Sequence, residues 1–365
     1  MSKRKSTSTA ETRQVSAQKL LKELGEGVYT DLDAGKFPSL TLSSRSVKNI
    51  VYDRKLQQFI LGQATVRRSS ANIKHIRPFT QLVWLAFFAK QLVDEKRTST
   101  LRDVYYSAQA FDMEFVDQAE SDELITDLEV LMQTAREGLN IYPEERSAIF
   151  GNMTIEYTVP GYEGRKLDLS SHPDGVMIGP ALTTAEFSET DAEMVLAIEK
   201  GGLFTRFVEE RVHKKHKAIL VNTAGQPPRS TRFLLRRLNQ ELGLPVGILC
   251  DADPWGAHIA MVIKSGSANA AHLRELTTPK AVWLGVWASD IVKYKLPSDK
   301  LTEVDIKRLY ELKADPRYTE RMWHEELDTF LRIKKKSEQE AFARYGLSYI
   351  VDTYLPAKLE LMKSA

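Results

Sequence analysis

Apolar positions along the chain change rhythm twice. "SAQKLLKELGEGVYTDLDAGKF" opens with apolar residues at helical spacing and loses the pattern at its glycines, which predicts a short amphipathic helix after a polar, disordered stretch over residues 1–16. "LTLSSRSVKNIVYDRKLQQFILG" alternates around a polar centre, as a strand pair with its turn near Asp53 does. From Arg77 to Arg97 a long apolar face recurs at helical spacing. "STLRDVYYSAQAF" predicts a second helix capped by Thr98 or Ser99, and "SDELITDLEVLMQTAREGL" a third that ends at Gly138. "RSAIFGNMTIEYTV" predicts a hairpin turning at Gly151-Asn152. Three helices followed by a hairpin is the order of a winged helix, and small three-helix units also serve as protein docking modules.

Beyond a loop-rich stretch, "DLSSHPDGVMIGPAL", the rhythm becomes strand-helix-strand. "MVLAIE", "AILV", "VGIL" and "AVWLGVW" are short apolar runs separated by helical segments, the pattern of a parallel sheet covered on both faces. The expected division is therefore a basic extension and strand pair over 1–70, a three-helix unit over 71–160, a linker over 161–190 and an α/β domain over 191–365.

Composition is that of a folded soluble protein, with 42% hydrophobic and 27% charged residues. No apolar run is long enough to span a bilayer, and the first residues lack a signal-peptide core, which points to a cytoplasmic protein. The single cysteine, Cys250, lies in an apolar run and reads as a buried core residue. The net charge of +2 is unevenly spread. Residues 1–80 carry 15 Lys and Arg against 6 acids, residues 101–150 carry 3 against 12, and residues 200–240 carry 10 against 2. Two basic zones suit a polyanion partner as well as they suit solvated faces.

In "GILCDADPWGAHIAMVIK" an apolar run ends at Asp251 and Asp253. Residues with one position between them on a strand face the same side, so two like charges are brought together. Glu199 ends "MVLAIE" in the same way, and ligands of open α/β sheets bind at such strand ends. Three carboxylates there suit Mg²⁺, which takes hard oxygen ligands. The other reading makes the two aspartates caps of the next helix, with Pro254 at its first position. Gly201, Gly202 and Gly256 would permit close backbone approach. His213 and His216 read as histidines of an exposed basic face rather than as ligands. Arg229, Arg232 and Arg236 share one helix face and are candidates to track a phosphate backbone. No Gly-x-x-x-x-Gly-Lys-Ser/Thr loop occurs, so ATP would be bound by a partner and not by this chain.

Together, "VLAIEKGGLFTRF", "ILVNTAGQPPRSTRFLLRRL" and "DADPWGAHIAMVIKSGS" resemble the Toprim domain of the topoisomerase VI A-subunit family, and "LRDVYYSA" resembles its tyrosine segment. "SSRSVKNIVYD" and "TPKAVWLGVWASDIVKYKLP" also fit, so the resemblance runs from about residue 40 onward. The family includes the eukaryotic transesterase that starts meiotic recombination. The resemblance implies an α/β fold, α+β overall, in which a winged-helix-like DNA-binding domain precedes a Toprim domain with a mostly parallel sheet. It implies Tyr106 as nucleophile, with Tyr105 a packing residue. Arg102, one turn before Tyr106, would hold the phosphate or favour the phenolate, and Asp103 would either orient Arg102 or serve the helix surface. Glu199, Asp251 and Asp253 become the Mg²⁺ ligands, with Glu199 also an acid/base for the 3′ oxygen.

The implied reaction is attack of Tyr106 on duplex DNA to leave a transient 5′-phosphotyrosyl break. The implied partners are DNA, a second A chain and an ATPase B subunit in an A2B2 assembly, where the tyrosine of one protomer works with the metal site of the other. A nucleoid-associated setting follows. The alternatives are a recombination-initiating transesterase without strand passage, a DNA-binding scaffold and a Toprim nuclease that releases its product. The acidic third helix fits a groove-reading helix poorly; either it faces away from DNA, or it packs on the basic N-terminal region or a partner.

Overall fold

In the computed structural model, residues 9–363 are described, with side chains from Ala17 onward. The chain divides into two compact units: one runs up to Val51 and over Ile60–Glu144 with Ala271–Leu273, the other over Tyr52–Phe59, Glu145–Ala270 and from Arg274 to the end.

The first unit begins with α1 (Thr9–Asp33), longer at both ends than the sequence predicts. Residues 1–8 of the expected disordered stretch lie outside the described residues, but 9–16 are helical, and the helix continues through Gly25 and Gly27. Burial of Ala17 and Leu21 in the same core as α2 outweighs the cost of about 1 kcal/mol that each helical glycine carries. Strand β1 (Ser39–Ser43) leads to the hairpin β2 (Ile50–Asp53) and β3 (Gln58–Leu61), whose turn is fixed by Asp53 accepting from the Lys55 and Leu56 amides at 2.8 and 3.0 Å. Strand β4 (Thr65–Ser69) returns antiparallel to β1.

Helix α2 (Ile73–Asp94) is capped by Asn72. The two-residue β5 (Ser99–Thr100) precedes α3 (Leu101–Gln109), and Thr100, not Thr98 or Ser99, is the cap. Helix α4 (Gln118–Met132) starts at an Asp117 cap, four residues ahead of the expected Ser121, and β6 (Ile141–Tyr142) pairs parallel with β5. Leu82, Leu85 and Ala89 of α2, Val104 and Ala108 of α3, and Leu124, Ile125 and Leu128 of α4 share one buried core. Two buried acids of α4, Asp127 and Glu129, are paired within this unit, Glu129 with Arg136 at 3.1 Å. Asp127 accepts from Arg45 at 2.8 Å and is also paired with Arg68. Of the alternatives for this acidic helix, packing on the basic N-terminal region is what the structure contains.

The expected hairpin at 146–159 does not form. Strand β7 (Ala148–Phe150) and β8 (Met153–Glu156) flank Gly151, but they join different sheets. Gly151 has φ +151°, and a Cβ there would meet Ile219, so it marks a corner between sheets and not a hairpin turn. The segment belongs to the second unit, whose main stretch begins at Glu145, ahead of the expected boundary at 160. Nor is 161–190 a bare linker: it holds β9 (Lys166–Asp168), β10 (Val176–Met177), α5 (Pro180–Thr184) and β11 (Glu186–Thr190). β11, β8 and β9 form an antiparallel three-stranded sheet.

The strand-helix alternation beyond it is as predicted: β12 (Met194–Ile198), α6 (Gly201–Glu209), α7 (Val212–Lys215), β13 (Ala218–Asn222), α8 (Arg229–Glu241), β14 (Val246–Leu249), α9 (Pro254–Ser265) and β15 (Val282–Gly285). The six-stranded sheet has the order β10-β7-β13-β12-β14-β15; the last four strands are parallel, β7 pairs antiparallel with β13, and β10 at the edge pairs antiparallel with β7. Helix α10 (Ala288–Lys293), the short pair β16 (Asp299–Lys300) and β17 (Lys335–Lys336), α11 (Glu303–Ala314), α12 (Arg321–Ile333) and α13 (Leu355–Leu359) complete this unit. Trp283 of β15 stacks on Trp323 of α12 at 4.5 Å, tying sheet to helices.

Candidate active site

Two groups of functional side chains are present, one in each unit. In the first, the capping box of Thr100 and Asp103 sets the start of α3: the Asp103 amide donates to Thr100 Oγ1 at 3.0 Å, and the Thr100 amide donates to Asp103 at 3.1 Å. Asp103 thus serves the helix and does not orient Arg102. One turn on, Tyr106 stands 51% exposed, a position that packing does not explain. The neighbouring Tyr106 is the main reason the Arg102 guanidinium pKa is raised, and the Arg102 Cζ lies 5.7 Å from the Tyr106 ring centroid. Tyr105 is half-buried, edge-on to Tyr106 and against Phe115, so its role is packing.

In the second unit, β12 and β14 are neighbours in register, with Ile198 opposite Leu249. The residues that follow them meet: the Asp251 amide donates to Glu199 Oε2 at 2.9 Å. Burial, then the nearby Asp251, push the Glu199 carboxyl up to about 7. Burial likewise pushes Asp251 up to about 6, against the Gln339 amide, which donates to its Oδ1 at 2.9 Å, and against Lys200. Lys200 Nζ lies 3.2 Å from Asp251 Oδ2 and 3.8 Å from Glu338. Asp253 does what the capping alternative foresees, accepting from the Gly256 amide at 2.6 Å at the start of α9; burial raises its pKa as well. A Cβ at Gly256 would run into the Asp251 carbonyl oxygen, so the close approach expected at this glycine is real. A Cβ at Gly201 would meet only Asn222, at 3.7 Å.

Among the described residues, no three His, Cys, Asp or Glu side chains are grouped as a ready metal cage. The donor set nevertheless fits Mg²⁺. Glu199 and Asp251 offer adjacent hard oxygens whose charge is poorly balanced, and Mg²⁺ takes one or two carboxylates and fills its shell with water and phosphate.

Other expected residues are placed differently. His213 is buried edge-on against Phe150 at 4.8 Å, its pKa lowered by burial, and is not on an exposed basic face. Arg232 is buried, Arg229 half-buried, and Arg236 donates to the Thr277 carbonyl at 2.8 Å. Sequence reasoning missed Lys200, although it follows Glu199 directly, and missed Gln339 and Glu338, which no local signal connects to Asp251.

The descriptions of two families match the chain: the Toprim domain of the topoisomerase 6 A subunit/Spo11 over residues 194–359, and type IIB DNA topoisomerase over residues 77–141. The A subunit of the type 2 DNA topoisomerase 6 of Methanothermobacter thermautotrophicus is 43% identical over 96% of this chain and 99% of its own. This chain belongs to the family of topoisomerase 6 A subunits. Those of Archaeoglobus fulgidus and Natronomonas pharaonis are 39% and 35% identical, over 92% and 97% of this chain and 94% and 98% of theirs. Against these topoisomerase 6 descriptions, Tyr106 falls in the segment matched to type IIB DNA topoisomerase, and Glu199, Asp251 and Asp253 fall in the Toprim segment. Among the described residues, no helix is long and apolar enough to cross a membrane.

Proposed function

We propose that this chain is the DNA-cleaving subunit of a type IIB topoisomerase. Tyr106 Oη attacks a DNA phosphorus, the P–O3′ bond breaks, and the 3′ oxygen departs with the electron pair, leaving a 5′-phosphotyrosyl bond. The observation that carries this reading is the exposed Tyr106 side chain with the Arg102 guanidinium beside its ring. A phenol is a weak nucleophile unaided, and an adjacent guanidinium would offset the charge that develops as it attacks the phosphate. Glu199, Asp251 and Asp253 would hold Mg²⁺, which when bound offsets charge on the phosphate and leaving oxygens. Glu199 would also serve as acid/base for the 3′ oxygen, giving it a proton and taking it back on resealing.

One phosphodiester replaces another, so chemistry needs no ATP. ATP would gate strand passage on an ATPase B subunit, and two A chains would cut the two strands, each tyrosine working with the partner's acids. Helices α2 to α4 are read as the winged-helix-like framework presenting Tyr106, and the nucleoid as the setting. The near-full-length likeness to topoisomerase 6 A subunits favours this reading over a transesterase without strand passage.

The test traps cleavage of end-labelled duplex with B subunit, ATP analogue and Mg²⁺, then denatures in detergent. Label should travel with the wild-type chain through a 5′ linkage and not with Tyr106→Phe. Cut strands with no attached protein would overturn the proposal.

A further inference from the structure

Lys200 stands at the N-cap of α6, where it is the wrong residue for the helix. It offers no acceptor to the amides of the first turn, makes no side-chain cap, and puts a positive charge at the positive end of the helix dipole. A local rule broken in this way marks a demand from elsewhere.

That demand is Asp251. Its Oδ1 is held by the Gln339 amide at 2.9 Å, which leaves Oδ2 as the oxygen turned to a cation, and Lys200 Nζ holds it at 3.2 Å. The Lys200 side chain is 33% exposed, so it reaches the acid pair from a partly solvated position. We infer that Lys200 is the resident counter-cation of the acid pair: it holds Asp251 Oδ2 until Mg²⁺ arrives, yields that oxygen, and turns its ammonium to a DNA phosphate. This rests on the placement of Mg²⁺ at Asp251 proposed above. Two cations close to one carboxylate oxygen repel, so metal entry and the Lys200 contact exclude each other. The four-carbon stem lets the displaced ammonium swing outward without movement of the strand. Lys200 is a positioning residue, charging the metal seat and then the phosphate rather than reacting itself.

The test titrates MgCl2 into the full-length, metal-free chain by calorimetry, without DNA. Lys200→Met should bind Mg²⁺ about threefold more tightly or better, because its competitor is gone, while Lys200→Arg stays within about twofold of wild type. Asp251→Asn should lose Mg²⁺ binding. Undiminished binding in Asp251→Asn would overturn the metal placement itself. Loss in Asp251→Asn with unchanged or weaker affinity in folded Lys200→Met would overturn the Lys200 role alone. Duplex DNA binding supplies a second readout. With Mg²⁺ present, the salt dependence of wild-type binding should exceed that of Lys200→Met by about one phosphate contact, a slope difference of roughly 0.9, and without Mg²⁺ the two should agree. Equal slopes with and without Mg²⁺ would overturn the phosphate contact.

Discussion

The amide of Asp251 donates to the carboxylate of Glu199 at 2.9 Å, so two acids separated by 52 residues are joined through adjacent parallel strands. This bond fixes the spacing of the pair but leaves their charge to be balanced. Replacing Glu199 by Gln should therefore stabilise the metal-free protein at pH 8, by about 1 kcal/mol, since a buried charge beside Asp251 is removed. The same change should abolish the rise in melting temperature on adding Mg²⁺ and lower cleavage by about 100-fold or more. Paired thermal melts with and without Mg²⁺ check this, and a variant that still responds fully to Mg²⁺ would count against Glu199 as a ligand.

Tyr106→Phe should leave the melting temperature within about 1 °C of wild type, because the side chain is exposed, and should remove the covalent adduct entirely. Tyr105→Phe should keep the adduct. Arg102→Ala should slow cleavage about 100-fold, as the attacked phosphate loses an adjacent cation. Single-turnover cleavage across pH, with each variant, measures all three.

Asp127→Asn removes the acceptor shared by Arg45 and Arg68 while leaving two guanidinium groups around a buried amide. A loss of roughly 2 kcal/mol in urea unfolding of the full chain is expected, more than an exposed ion pair would give. An unchanged midpoint would show that this pairing does not hold α4 to the N-terminal strands.

His258 carries a pH dependence of known sign. Burial, then the positive Arg308 and Arg317, hold it down to about 4, with Asp315 opposing. The folded chain keeps the ring neutral while the unfolded chain takes up a proton below about 6.5, so this contribution is complete above 6.5 and fades as pH falls toward 4. Between pH 7 and pH 4.5 wild type should lose roughly 2 kcal/mol more than His258→Gln. Urea titrations at the two pH values give the difference, and parallel losses in both proteins would contradict the assignment.

Gly256→Ala places a methyl group against the Asp251 carbonyl, in backbone that cannot yield as a flexible side chain would. A loss of about 2 kcal/mol or more is expected, together with weakened Mg²⁺ binding, and calorimetry on the refolded variant tests both.

What could be read from the sequence was what local spacing encodes. Apolar runs ending in Glu199 and Asp251 gave away the strand ends, and the one-turn spacing of Arg102 and Tyr106 placed them on one face. What failed depended on distant partners. Gly151-Asn152 is a sound turn signal, yet whether its flanking strands pair with each other is decided by Leu220 and Val221 on one side and Phe187 on the other. The glycines of α1 argue against a helix until the core that covers it is known. Gln339 reaches Asp251 across 88 residues, a distance no motif bridges. The burial of Arg232 and His213 likewise belongs to their surroundings and not to their spacing.

The pairing of Ile198 with Leu249 has a further consequence. Side chains alternate along a strand, so one residue inserted into β12 would turn its last positions to the opposite face of the sheet. Glu199 would then point away from Asp251 although every acidic residue remained in the chain. A mutational scan by insertion, silent to substitution tables, would find in β12 and β14 a reading frame as strict as that of a codon.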